Sequence, residues 1–258
     1  MKGLEKAELK AFTLLICLIA AAEVITYFVH PGYGLFMYSL LLVALLALSA
    51  FWHGSNPGAE LFLALSLAPV TRIVSLSLPL AYLPSYAWYP ASGMLMLAAA
   101  IAVIRVQGLS PEKVGLTLKK PLVQLALGLT GIPLGAVEYL ILRPEPLAQG
   151  VSMLDYVFLA LAIAFFTGFV EELVFRGVMQ GAAVRALGWR AGLIGVSIIF
   201  AVLHIGWFSA PDMIFVFTVG LAFGYTVLKT GSLLGASVSH GLTNVGLFMI
   251  FPYLWKSL

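Results

Sequence analysis

At about 9–29, 33–52, 59–80, 87–106, 121–142, 154–187, 191–209, 212–229 and 232–251 the chain runs for some twenty residues, or 34 in the case of 154–187, with few charges. A helix needs about 20 such residues to cross a hydrocarbon core of about 30 Å, and inside that core only helices and closed barrels satisfy their own backbone groups. The runs carry no period-two alternation, so the expected fold is all-α: a polytopic transmembrane bundle of eight or nine membrane helices. Composition agrees. Hydrophobic residues make up 62% of the 258 and charged residues 10%, against about 45–50% and about 25% in a soluble domain. The net charge of +3 comes with no dense basic cluster, which argues against nucleic acid as a partner. The single cysteine, Cys17, lies in an apolar run and supports neither an internal disulfide nor a Cys-based metal site.

The first run contains Ala20-Ala21-Ala22, a stretch that resembles a signal-peptide cleavage region, but it is long enough to span, carries Glu23 and is followed at once by another run. It reads as the first helix of a polytopic protein. The run at 59–80 is the weakest, because it holds Pro69 and Arg72 and ends in a proline-rich stretch; a broken or re-entrant helix is expected there. The segment 108–120 reads as a linker at the headgroups. Residues 1–120 thus form an N-terminal group of helices with this linker, and 121–258 a C-terminal group. Alternate threading from a cytoplasmic N-terminus puts Lys2, Lys6, Lys10, Arg105, Lys113, Lys119, Lys120, Arg185, Arg190 and Lys229 on the inside and only Arg143 and Lys256 outside, as the positive-inside rule requires of a multi-pass protein of the cell membrane.

Threading leaves Glu23, Arg72, Glu138, Glu171, Glu172, Arg176, His204 and His240 within the spans. A charged group at bilayer depth costs at least about 2.5–3.5 kcal/mol, so each needs a reason. Glu138, near an outer helix end, is expected to snorkel. Glu23 and Arg72 fall at one depth and are expected to pair structurally. Glu171 and His204 lie 14 residues, and His240 11, from the inner markers Arg185, Arg190 and Lys229. At about 1.5 Å per residue these are depths of roughly 16 to 21 Å, one level on three helices.

Within EELVFR at 171–176, Glu172 and Arg176 are four apart on one face and can form an ion pair, whereas Glu171 is rotated away and lacks a local cation. His240 and Asn244 are likewise four apart on one face. Small residues at Gly231, Gly235 and Ser239, and at Ser237 and Gly241, allow close backbone approach, which is a packing feature. A buried carboxylate and an imidazole facing one cavity can hold and deprotonate a water, while a second imidazole and an amide donate to an oxyanion. Hydrolysis of an amide or ester fits these parts. No serine nucleophile is needed, and no GxSxG elbow occurs.

The set EELVFR at 171–176, FAVLH at 200–204 and HGLTN at 240–244 resembles the three motifs of the CPBP (Abi) family of polytopic membrane proteins, which includes the type II CAAX prenyl endopeptidases. The resemblance covers a catalytic core at about 154–251. It implies a peptide hydrolase in which Glu171 and His204 activate the attacking water, His240 and Asn244 stabilise the oxyanion, and Glu172 and Arg176 give structural support. It also implies a cavity open to the cytoplasm and to lipid, with a prenylated CaaX-type peptide or protein as substrate and membrane lipid as surroundings. Zinc is the rival reading, since two histidines and two glutamates are zinc-ligand types. The expectation is no cofactor: there is no HExxH helix, Glu172 is committed to Arg176, and Asn244 is a poor zinc ligand. Two other functions remain open, a non-proteolytic peptide-binding scaffold or bacteriocin self-immunity protein of the same family, and a proton-coupled transporter.

Overall fold

The computed structural model describes residues 2–51, 57–79, 82–147 and 149–255, with side chains omitted at 2–6 and 85–86. Lys256 and the side chains of Lys2 and Lys6 lie outside that description. Nine helices among the described residues are long and apolar enough to cross a membrane: α1 Ala7–Phe28, α2 Pro31–Phe51, α3 Pro57–Ser77, α4 Ala87–Val106, α5 Pro121–Leu142, α6 Met153–Leu187, α7 Trp189–Trp207, α8 Ala210–Thr230 and α9 Leu234–Leu254. The described residues contain no strand. The protein is therefore an all-α polytopic membrane bundle. Each observed helix overlaps its expected run closely.

Proline accounts for the breaks in two of these helices. A proline ring clashes with the carbonyl four residues earlier and removes a hydrogen-bond donor. Accordingly α3 is interrupted after Leu65, four residues before Pro69, and α5 after Leu129, four before Pro133. The break expected in the third run is thus present, yet the helix continues to Ser77 rather than turning back. Helix α6 departs from α geometry differently. Turns of π-helix at Ala164–Phe169 and Leu173–Met179 flank a short α segment at Val170–Glu172. Such π turns are rare, and those that occur are frequently at functional sites.

One buried apolar cluster runs from Phe12, Ile19 and Tyr38 through Leu61 and Leu65 to Val178, Ile199 and Phe223, so both halves of the chain share a core. Outward faces are apolar too: Leu14, Phe36, Leu125, Leu161 and Ile214 are exposed, as suits side chains whose solvent is lipid. Glycine sets the closest approach. A Cβ on Gly168 of α6 would fall 2.6 Å from the carbonyl oxygen of Ser237 and 2.7 Å from Cα of Gly241, and a Cβ on Gly241 would fall 2.9 Å from the carbonyl oxygen of Ala164. The small residues of α9 therefore seat its backbone directly against α6, bringing His240 and Asn244 within reach of the two glutamates.

The ends of the bundle differ in charge. Lys10, Arg105, Lys119, Arg185, Arg190 and Lys229 are exposed at one face, where α1 and α3 begin and α4 and α6 end; at the helix ends of the other face, Arg143 is the exposed Lys or Arg among the described residues. At the basic face, a short turn at Pro111–Val114 leads the linker back into the bundle.

Candidate active site

Glu172 sits inside the bundle with no exposed surface. Its Oε2 lies 3.3 Å from Nε of Arg176 one turn on, the i, i+4 pairing its spacing requires. Its Oε1 accepts a hydrogen bond of 3.0 Å from Nδ1 of His240. The carboxylate therefore joins α6 to α9 as well as pairing along its own helix. The guanidinium of Arg176 lies 4.3 Å over the ring of Phe200, and a Cβ at Gly220 of α8 would come 3.3 Å from its Nη2. A cation–π contact and a glycine thus accommodate a buried cation whose terminal nitrogens lack hydrogen-bond partners among the described residues.

Glu171 is placed otherwise. Its carboxylate is 3.9 Å from Nε2 of His240 and the side chain is 36% exposed, against none for Glu172. His240 lies between the two glutamates, Nδ1 donating to one and Nε2 directed to the other. An imidazolium there balances two carboxylates and one guanidinium without a further counter-ion.

Glu171 and His204 line one cavity of about 260 Å³, together with Thr71, Arg72, Tyr89 and Trp207. Nδ1 of His204 donates to the carbonyl of Phe200 at 2.8 Å. A carbonyl can only accept, so this bond fixes the tautomer, and the neutral ring keeps the lone pair of Nε2 as its acceptor. The backbone around His204 is anchored as well. Arg72 donates from Nε to Glu23 Oε1 at 2.6 Å and from Nη2 to Glu23 Oε2 at 3.0 Å, and its Nη2 also reaches the carbonyl of Leu203. Tyr38 donates to Glu23. The pair expected from matched depth is present and ties α1, α2 and α3 to the end of α7.

Asn244 donates through Nδ2 to Oγ1 of Thr167 at 2.9 Å, and that hydroxyl donates to the carbonyl of Ile163 at 2.7 Å. Asn244 and His240 border a second space of about 30 Å³, enough to hold a water. Phe200 and His204 border both spaces. The structure thus gathers Glu171, Glu172, Arg176, His240 and Asn244 along the α6–α9 seam and sets His204 beside them on α7. No hydrogen bond or ion pair among the described residues joins His204 to Glu171; both line the larger cavity.

One sequence expectation is corrected. Glu138 does not snorkel: it is 7% exposed and lines the smaller space with His204, His240 and Asn244. Its distance from the helix end said nothing about which face it occupied, and Gly135 on the same helix lies hard against the carbonyl of Thr243. The lining of the larger cavity comes from the last turns of α3 and α7, the early turns of α4 and the middle of α6, the half of the bundle away from the exposed lysines and arginines. Sequence reasoning also passed over Thr167 and took Phe200 as ordinary packing. Their spacing carried a signal, since Phe200 is one turn before His204 and Thr167 one turn before Glu171.

Among the described residues no three His, Cys, Asp or Glu side chains are grouped so as to hold a metal ion. Glu172 is engaged by a guanidinium and an imidazole.

Residues 153–246 match the family described as type II CAAX prenyl endopeptidase Rce1-like. The matched segment contains Thr167, Glu171, Glu172, Arg176, His204, His240 and Asn244, whereas Arg72 and Glu138 lie outside it. No curated protein and no solved structure matches the chain.

Proposed function

From the Rce1-like domain of CPBP (Abi) type that residues 153–246 carry, we propose that the protein is an intramembrane endopeptidase that cleaves a peptide bond by activated water. Glu171 and His204 hold the water between them at the larger cavity, and Glu171 takes its proton as oxygen attacks the scissile carbonyl. His240, charged and held through Nδ1 by Glu172, directs Nε2 to the developing oxyanion, and Asn244 supplies a second donor. Collapse of the tetrahedral intermediate returns the proton to the leaving amine. Glu172 and Arg176 act through His240, as positioning residues. The substrate class is a lipid-anchored polypeptide, with a prenylated CaaX-type peptide as its test case, and the reaction needs no metal. The protein works in the cell membrane, with its basic face and N-terminus cytoplasmic.

The observation that carries this reading is the convergence of three helices on one site. A carboxylate with open surface from α6 meets an imidazole from α9 at 3.9 Å, beside an imidazole from α7 whose tautomer leaves an acceptor nitrogen. The test is cleavage of a farnesylated CaaX-type peptide by the purified chain in detergent, with products identified by mass. Glu171→Gln and His204→Ala should each lower turnover by about 10²–10⁴-fold, the usual worth of a positioned base. Full activity in either variant removes the mechanism. Inhibition by a chelator that added zinc reverses overturns the metal-free reading, and tight binding without product identifies a peptide-binding scaffold instead.

A further inference from the structure

We infer that Glu138, a carboxyl from α5 outside the matched segment, is a positioning residue of this site: it holds a water in the smaller space, and that water holds the amide of Asn244. What the amide does rests on the hydrolase reading; where the water sits rests on packing and hydrogen bonding alone. Helix α5 places the carboxyl by its contact with α9. Gly131, Gly135 and Glu138 recur at i, i+4 and i+7, one face of a helix. A Cβ on Gly131 would overlap the carbonyl oxygen of Ser239, and one on Gly135 would fall 2.6 Å from that of Thr243, so this face lies directly against the backbone of α9. One turn further along, Glu138 borders the smaller space together with Asn244.

As structure this carboxyl is a cost. It is buried, and no hydrogen bond or ion pair among the described residues reaches its oxygens. The charged groups near it are Asp212, Glu171 and His240, two further carboxylates and an imidazole already shared by Glu171 and Glu172. An acid desolvated without a partner of its own does nothing to hold the bundle together. Its reason is in the space it faces.

Donors and acceptors around that space do not balance without a water. Thr167 Oγ1 gives its proton to Ile163 and accepts from Asn244, which fixes the amide: Nδ2 is toward Thr167, and Oδ1 is an acceptor with no donor among the described residues. Glu138 adds a second acceptor. The imidazoles have no proton to give to either. Nδ1 and Nε2 of His240 are directed to Glu172 and Glu171, and Nδ1 of His204 to the carbonyl of Phe200. A water carries two protons, and the space of about 30 Å³ is enough to hold one. Donating to Asn244 Oδ1 and to Glu138, it satisfies both oxygens and keeps the second Nδ2 proton of Asn244 turned to the oxyanion. Glu138 offers an oxygen for that bond in either protonation state.

The test is a double-mutant cycle in the full chain, Glu138→Leu against Asn244→Ala, read both in steady-state cleavage of the farnesylated peptide and in thermal unfolding in detergent. Glu138→Leu should lower kcat about tenfold, a part of the roughly 10²–10³-fold that a lost oxyanion donor costs, with KM within about twofold. Glu138→Gln, which keeps an acceptor oxygen, should recover most of this. In the Asn244→Ala background Glu138→Leu should change kcat by less than about twofold. Wild-type kcat in Glu138→Leu, an equal loss in Glu138→Gln, or the full loss repeated on top of Asn244→Ala overturns the inference.

Unfolding keeps this inference apart from the hydrolase reading. If the wild-type chain cleaves no peptide, that reading fails and the water bridge is judged by melting temperature alone. Glu138→Leu removes an unpaired acid in both backgrounds but strands Asn244 Oδ1 only where Asn244 is present, so it should raise the melting temperature more beside Asn244→Ala. Equal shifts overturn the bridge. Glu138→Met repeats the cycle with an unbranched side chain, and failure of both apolar variants to fold makes Glu138 a structural residue and overturns the inference as well.

Discussion

Replacing Thr167 by valine removes one oxygen at nearly constant volume and tests whether the amide of Asn244 is a positioned donor. In the folded protein the Thr167 hydroxyl accepts from Asn244 Nδ2 at 2.9 Å and passes its own proton to the carbonyl of Ile163 at 2.7 Å. Valine leaves the amide without that acceptor in a site where Thr167 is 7% exposed. An unsatisfied buried donor costs about 1–3 kcal/mol. The amide recovers part of this by rotating toward the small neighbouring space, and the rotation takes it away from the oxyanion. A loss of about 1–2 kcal/mol in the transition state is about five- to thirtyfold in kcat. KM should change little, since the contact is made in the transition state. Asn244→Ala, which removes the donor altogether, should cost about 10²–10³-fold. Thr167→Ser should recover most of the loss. Steady-state kinetics on the farnesylated peptide, with thermal unfolding in detergent as control, separate the possibilities. Thr167→Val with wild-type kcat, or with lowered melting temperature and normal turnover, refutes the role given to this hydroxyl.

Glu172→Gln leaves Arg176 buried without its countercharge, and breaking a buried pair costs about 3–5 kcal/mol; thermal unfolding in detergent should show a strong loss of stability, which Glu171→Gln, at a partly exposed carboxylate, should not share. Glu23→Gln removes the countercharge of Arg72 and loosens its grip on the Leu203 carbonyl, so both stability and turnover should fall; unchanged turnover with reduced stability would confine the network to a structural part. Gly168→Val places a side chain where even a Cβ is 2.6 Å from a carbonyl oxygen, and should abolish expression of folded protein, whereas Gly150→Ala, at a glycine with φ of 68° and nothing within 4 Å of its Cβ, should cost only backbone strain.

Much of the fold was legible because a bilayer offers few solutions. Long apolar runs can only become helices, and the breaks at Ser66 and Thr130 follow from Pro69 and Pro133. Spacing along one helix was equally legible: the Glu172–Arg176 pair is a matter of four residues. Contacts between helices were harder. His240 is eleven residues from Lys229, yet α9 begins at Leu234, six residues before the histidine. The levels agree because the turn at 231–233 is drawn into the bundle and sealed by the linker at 115–117, a long-range contact with no local pattern. Glu138 shows the converse, since axial position without azimuth suggested lipid headgroups for a side chain that points inward. The π turns of α6 also lay beyond reach, for periodicity alone cannot separate a wide helical turn from an ordinary one.

Charge accounting ties these details to chemistry. Among the buried groups at the seam, the Arg176 guanidinium is matched to Glu172, the Glu172 carboxylate is shared with His240, and the cation of Arg72 is taken by Glu23. Each of these groups offsets its desolvation with a partner that is itself held. Glu171 is the exception: its nearest cationic partner is an imidazole at 3.9 Å, and it faces the cavity with about a third of its surface open. A carboxylate left with this much freedom inside a bundle is costly as structure, and unlike Glu172 it can accept a proton without breaking an ion pair that holds two helices together. The adjacent glutamates therefore divide the work, one fixing the geometry of α6 and α9 and the other meeting water. Exchanging their environments, by Arg176→Leu, should free Glu172 and disturb His240 before it disturbs Glu171, so that turnover falls with loss of the imidazole's position even while Glu171 itself is unchanged.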